Sequence, residues 1–308
     1  MGGVITGFGV IASIIAAGYV LGRSDALGAN GREVLTRVAF SVATPALLFT
    51  ILSGSDPSVL FSAPLAVTAL SMAAAAALFV AVAVVRRWGA RTAGMGALCS
   101  AYVNAGNLGI PIASYVLGDA ALVAPVLLLQ QLVVTPIAVT LLDAGSRSPG
   151  ERVGVLTVLT TPLRNPIAVA SLAGVAVALS GLTVPDPLMQ PFELVGSMSV
   201  PAVLLALGIS LHGSPLPGRS PERGPVVLAV VLKTLLQPAA AWAIGTWLFH
   251  LDGEMLFAVV VLAALPTAQN VFTYASRYGA ATTMVREAVL LSTIATLPVL
   301  VGIALLHG

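Results

Sequence analysis

Ten apolar segments account for most of this chain, at about 4–22, 34–53, 63–85, 92–117, 121–142, 165–182, 192–211, 225–249, 255–277 and 288–306. Each approaches or exceeds the about 20 apolar residues that cross the hydrocarbon core of a bilayer. Only 8% of the residues are charged and the mean hydropathy is +1.02, whereas soluble domains carry about 25% charge. The expected fold class is therefore an all-α, polytopic membrane protein. The loops are short, the longest at about 143–164, and none is large enough for a soluble domain. The first segment has no positive region before it, and Arg23 comes after it, so it reads as an anchored helix rather than a cleaved signal.

The placement of charge tests the count of ten. Arg23, Arg32 and Arg37 follow the first segment, Arg86, Arg87 and Arg91 the third, and Arg147, Arg152 and Arg164 the fifth. Arg219 and Arg223 follow the seventh, and Arg277 and Arg286 the ninth. The remaining connections and both ends lack Lys and Arg and hold Asp56, Asp119, Asp186, Glu193, Asp252 and Glu254. Such alternation is what positive loops kept inside the cell produce. It predicts both termini outside the cytoplasm, with loops 86–92 and 143–164 inside. The arginines occur singly or in pairs between segments with no basic face, so the net charge of +2 does not suggest nucleic acid. Cys99 is the single cysteine, which excludes an internal disulfide and a Cys-based metal cluster.

The segments repeat. Ser41-Val-Ala-Thr-Pro45 in the second matches Ser197-Met-Ser-Val-Pro201 in the seventh. Pro111 in the fourth matches Pro266 in the ninth, and Pro136 in the fifth matches Pro298 in the tenth. Five segments per half is an odd number, so the second half is expected to be inverted. The expected architecture is two inverted five-helix repeats, 1–146 and 147–308, with helices 4 and 9 broken and crossing near the midplane.

The fourth segment reads Asn104-Ala-Gly-Asn107-Leu-Gly-Ile-Pro111 at its centre. Proline removes a donor and clashes with the preceding turn, and glycine lets the chain leave helical geometry. Irregular backbone at membrane depth survives only where protein or a water-filled cavity surrounds it. The stretch is expected to be a broken helix facing a polar site; the alternative is a kinked helix whose small residues let a neighbour pack closely. The ninth segment offers Leu265-Pro266-Thr-Ala-Gln269-Asn270 in the matching place. Half-helix N-termini carry partial positive charge, and Asn104, Asn107, Gln269 and Asn270 add carboxamide donors. This combination suits an anion such as a carboxylate. Each carboxamide has an alternative task, which is to satisfy backbone groups freed by the neighbouring proline.

Lys233 is the only lysine and lies about nine residues into the eighth segment. A charge at that depth is a functional candidate by default, while the alternative is snorkelling towards the inner face. It is placed either to attract an anionic substrate or to occupy the position of a coupling cation. Gln237, four residues on, shares its helix face. The acidic residues and histidines fall in loops or at segment ends, which disfavours carboxylate-based proton exchange. No zinc-binding His-Glu-x-x-His, no Gly-x-Ser-x-Gly elbow and no pair of buried aspartates is present, so no catalytic residue, metal site or cofactor is expected and the chain does not read as an enzyme.

Asn104-x-Gly-x-x-Gly109-Ile-Pro111 with Tyr115-x-x-Gly118 resembles the first crossover of the auxin efflux carrier family. Leu265-Pro266-x-Ala268-x-Asn270-x-Phe272-x-x-Ala275-x-x-Tyr278-Gly279 resembles its second. The resemblance implies a two-domain carrier, usually a homodimer. Its scaffold would comprise 1–62 and 165–212, and its moving transport domain 63–142 and 224–308. Asn104, Pro111, Pro266 and Asn270 match motif positions; Asn107 and Lys233 do not derive from the resemblance. The expected function is alternating-access, elevator-like transport of a small organic anion, a mono- or dicarboxylate, across the inner membrane. The rival readings are a sodium-coupled symporter of the bile-acid type and a non-transporting membrane sensor.

Overall fold

Proline has no N–H, and its ring collides with the carbonyl four residues earlier. In this computed structural model, which describes residues 2–28, 30–54, 62–146, 166–212 and 222–307, the chain answers that collision by widening a turn. Four π turns occur among the described residues, at Ala39–Ala43, Ala105–Gly109, Gln130–Val134 and Leu232–Leu236. Each ends two residues before a proline: Pro45, Pro111, Pro136 and Pro238. The residue four before each proline (Ser41, Asn107, Leu132 and Thr234) is the middle residue of its π turn. Pro298 lies inside a helix with no such turn, so the proline permits the bulge without compelling it.

The elements follow the apolar segments. They are α1 (Gly2–Ser24), α2 (Gly31–Ser53), α3 (Ala63–Val85), α4 (Ala90–Ala101), α5 (Ile110–Tyr115), α6 (120–146) and α7 (Pro166–Ser180). Then come α8 (Asp186–Gly196), α9 (Ser199–Leu211), α10 (Arg223–Trp247), α11 (Gly253–Ala263), α12 (Gln269–Tyr278) and α13 (Thr282–His307). Six helical runs among the described residues are long and apolar enough to cross a membrane; α7, α11 and the Gly9–Ser24 part of α1 are shorter apolar helices. No strand is present among the described residues, only the isolated antiparallel bridge between Val103 and Thr267. The chain is a helical membrane protein. Most of the basic loop 143–164, with Arg147, Glu151, Arg152 and Arg164, and also Asp56 and Arg219, lies outside the described residues.

Two local differences from the sequence reading have physical causes. The fourth segment breaks at residues 102–104, before Pro111, and Pro111 is instead helical in the first turn of α5. The π turn at Ala105–Gly109 runs directly into α5 and takes up the collision of the proline ring, so Pro111 is accommodated within a continuing helical stretch. The last helix begins at Thr282, earlier than the apolar run at 288, so Glu287 lies within it and is 3% exposed. Hydropathy alone cannot register a helix turn made of polar residues.

The chain packs as two compact units. One comprises the described parts of Met1–Phe61, Gly106–Leu132 and Thr160–Pro215, and the other those of Ser62–Ala105, Val133–Leu159 and Leu216–Gly308. Lipid tails are as apolar as leucine, so helices in a bilayer are held by close packing and hydrogen bonds rather than by escape from water. In the first unit α1 packs on α9, and α2 packs on α7, α8 and α9. Small residues make this possible. A Cβ on Gly208 would collide with the backbone of Ile15 and lie 2.7 Å from the Tyr19 nitrogen, and one on Gly196 would lie 2.9 Å from the Leu47 backbone. The hydroxyls of Thr44 and Ser199 meet at 2.6 Å, linking α2 to α9 beside the two matched prolines.

The second unit is built on α10, which packs against α3, α4, α11 and α13. Its core joins Phe79, Met95, Cys99 and Tyr102 to Val226, Val271, Met284 and Ala288. Gly96 admits the Phe79 ring against α4, since a Cβ there would overlap the ring edge.

Candidate functional site

Two helices of the second unit stop in mid-course and cross. The helix α4 ends at Ala101, after which Tyr102 is extended at φ −78° and ψ 106°. The helix α11 ends at Ala263 and α12 starts at Gln269. Between those ends the two irregular stretches run antiparallel. The Asn104 N–H donates to the Pro266 carbonyl at 2.8 Å, and the Ala268 N–H donates to the Tyr102 carbonyl at 3.0 Å.

A broken helix leaves donors and acceptors that hydrocarbon cannot satisfy. Each break supplies some of them to the other, and hydroxyls from neighbouring segments supply more. The Thr267 N–H donates to Ser292 Oγ at 3.1 Å, and Thr267 Oγ1 donates to the Cys99 carbonyl at 2.6 Å. Thr296 Oγ1 donates to the Ala264 carbonyl at 3.2 Å. The phenol of Tyr102 and the hydroxyl of Thr135 meet at 2.9 Å. These hydroxyls were not singled out from the sequence, because Ser and Thr occur in most segments and nothing marks the few that face a break.

Six of the eight candidate residues belong to this unit. Asn104, in the first break, is buried at 4% exposed. Pro266 is buried in the second break. Gln269 and Asn270 are half-buried in the first turn of α12. Among the described residues no protein group hydrogen-bonds the carboxamides of these last two. Lys233 and Gln237 are fully buried on α10. The Lys233 Nζ donates to Gln237 Oε1 and, at 2.8 Å, to the carbonyl of Ala263. Gln237 Nε2 donates to the carbonyl of Ala101 at 3.3 Å. The lysine therefore turns inward to the ends of α11 and α4 and does not snorkel.

The other two candidates lie in the first unit. Asn107 is half-buried at the centre of the π turn before α5, and Pro111 is buried in the first turn of α5. The same unit holds Gln130 and Gln131, at 1% and 5% exposed, in the π turn of α6. The sequence reading passed over them, although carboxamides a few residues before Pro136 repeat the pattern of Asn107 before Pro111. Among the described residues there is no group of His, Cys, Asp and Glu that could hold a metal ion.

A protein-family description, "Membrane transport protein", matches residues 8–304. A putative malonate transporter of Rhizobium meliloti (strain 1021) is 26% identical over 94% of this chain and 91% of its own length. An uncharacterized transporter of Escherichia coli (strain K12), YfdV, is 22% identical over 86% of this chain and 85% of its own. A probable auxin efflux carrier component of Oryza sativa subsp. japonica, 5b, is 36% identical over 78 residues, 25% of this chain and 21% of the rice protein. With a match that runs nearly from end to end, the chain belongs to the membrane transport protein family of the auxin efflux carriers, and it is a multi-pass membrane transporter.

Proposed function

We propose that the crossing in the second unit binds a small organic anion, a mono- or dicarboxylate of the malonate kind, and that the chain carries it by alternating access. The observation that carries this reading is the pair of half-buried carboxamides, Gln269 and Asn270, at the N-terminal end of α12. They lack protein hydrogen-bond partners among the described residues and follow directly on the bridge that holds Asn104. Carboxamide NH2 groups and the first N–H groups of a helix donate, and a carboxylate only accepts. The name of the Rhizobium relative supports the same class of substrate.

The chain is two inverted five-helix repeats, with a scaffold of 1–62 and 165–212 and a transport domain of 63–142 and 224–308 that moves as in an elevator. It works as a homodimer in the inner membrane with both termini outside the cytoplasm. Accessibility labelling of cysteines introduced at Ser55 and Ser146 tests the orientation. The two positions should label from opposite sides.

Binding is tested by melting the detergent-solubilised protein with a panel of organic acids, followed by uptake into proteoliposomes. A ligand at a hundred times its Kd stabilises by about 2.7 kcal/mol through mass action, enough for a clear rise in Tm. Stabilisation by malonate or a near relative, with matching uptake, supports the carrier. Failure of every acid to shift Tm together with no flux would favour a membrane sensor instead.

A further inference from the structure

The ends of α4 and α11 are the C-terminal ends of the two half-helices that precede the breaks, and each exposes carbonyls that have lost their helical partners. A helix C-terminus carries about half a negative charge. Two such ends, Ala101 and Ala263, are joined through one pair of side chains on α10. The Lys233 Nζ binds the Ala263 carbonyl at 2.8 Å and the Gln237 carboxamide, whose other end binds the Ala101 carbonyl at 3.3 Å. Both side chains are fully buried, and among the described residues no carboxylate lies within salt-bridge distance of Lys233. The partners of this amine are carbonyl and carboxamide oxygens, the ligand type that a hard monovalent cation also takes in a protein.

We infer that Lys233 is a built-in cation. Its amine stands where a metal ion would otherwise bridge the two half-helix ends, so the crossing is held together without sodium. The consequence for transport rests on the carrier reading: substrate binding in this chain is independent of sodium, and removing the amine converts the place into a cation site. The π turn at Leu232–Leu236, two residues before Pro238, belongs to the same device because it carries Lys233 on the widened part of α10.

The test is a melting series in sodium, potassium and choline chloride at equal ionic strength, without substrate. Wild-type protein should melt at the same temperature in all three. Lys233→Ala should melt lower in choline and recover part of the loss in sodium or potassium, because the vacated space admits an ion beside the two carbonyls. Lys233→Met removes the charge but fills the space, so it should melt low in every salt. In organic-acid binding, Lys233→Ala should bind about tenfold more weakly in choline than in sodium, a difference of about 1.4 kcal/mol, and wild type should show no difference. Specific stabilisation of the wild type by sodium overturns the inference, as does a folded Lys233→Ala that is indifferent to the cation. If Lys233→Ala yields no folded protein in any salt, the wild-type series decides alone. Failure of all organic acids to bind would remove the carrier reading yet leave these melting results standing, so the two failures are distinguishable.

Discussion

Within each of the two units a different kind of contact predominates. In the first, helices touch backbone to backbone at glycines: Gly18 and Gly208 between α1 and α9, and Gly196 beside Leu47 on α2. In the second, the contacts that matter at the crossing are hydrogen bonds from Thr267, Ser292, Thr296, Lys233 and Gln237 to backbone groups that the breaks set free. The first arrangement is steric and leaves no room for a change of side chain. The second is polar and distributed, so it tolerates the loss of one member better than the loss of a bare glycine surface. A region whose stability is spread over several exchangeable hydrogen bonds is also the region in which a polar ligand can compete. That contrast is consistent with the binding role proposed for the second unit.

Substitutions in the two units test this difference. The largest effect is expected for Gly208→Val, whose side chain would press on backbone atoms of α1 that cannot yield. Overpacking costs about 1–3 kcal/mol and occasionally more; contact with unyielding backbone puts this change at the upper end, and size-exclusion profiles should show loss of folded protein. A Gly208→Val protein that melts like the wild type would refute the steric account of the first unit. Next comes Ser292→Ala, which leaves the buried Thr267 N–H without its acceptor. An unsatisfied buried donor costs about 1–3 kcal/mol, readable as a fall in Tm. Thr267→Val should cost less, about 1 kcal/mol, because it removes a donor to the Cys99 carbonyl while leaving its own backbone bond in place. Both bonds are made by Thr267, so the double variant should fall short of the sum of the two changes. Additivity would mean that the crossing is not one network. The smallest effect is expected for Ser180→Ala, at the exposed end of α7, whose hydroxyl donates to the Val177 carbonyl and accepts only a long bond from the neighbouring Leu182 N–H. It should remain within about 0.5 kcal/mol of wild type.

Much of the architecture is legible in the residues, and the reasons are local. Apolar length marks the helices, proline marks the four π turns, and Asn104 to Pro111 and Pro266 to Asn270 mark the two irregular stretches. What is not legible depends on contacts between distant segments. Pro111 signals a disturbed helix, but the extended residues lie at 102–104, where Val103 finds Thr267 across the bridge. Lys233 is conspicuous as the single lysine, yet only the fold shows that it turns to Ala263 rather than to the membrane surface. Ser292 and Thr296 look like any hydroxyls in an apolar helix until α13 brings them to the second break. Hydropathy underestimates α13 itself, because its first turns carry Arg286 and Glu287.

Whether the crossing binds an anion through donors is decided by organic-acid affinity in Asn→Ala and Asn→Asp variants of Asn104 and Asn270. Loss of a hydrogen bond to a charged group costs about 1.5–3 kcal/mol, which is about a tenfold to hundredfold loss of affinity for each Ala variant. Asp has nearly the same shape as Asn but sets a negative charge against the substrate, so the Asp variants should bind more weakly still, whereas melting without ligand should favour Asp over Ala wherever the side chain only accepts from backbone N–H. Binding that is equal or better with Asp than with Ala at both positions would contradict the proposed site.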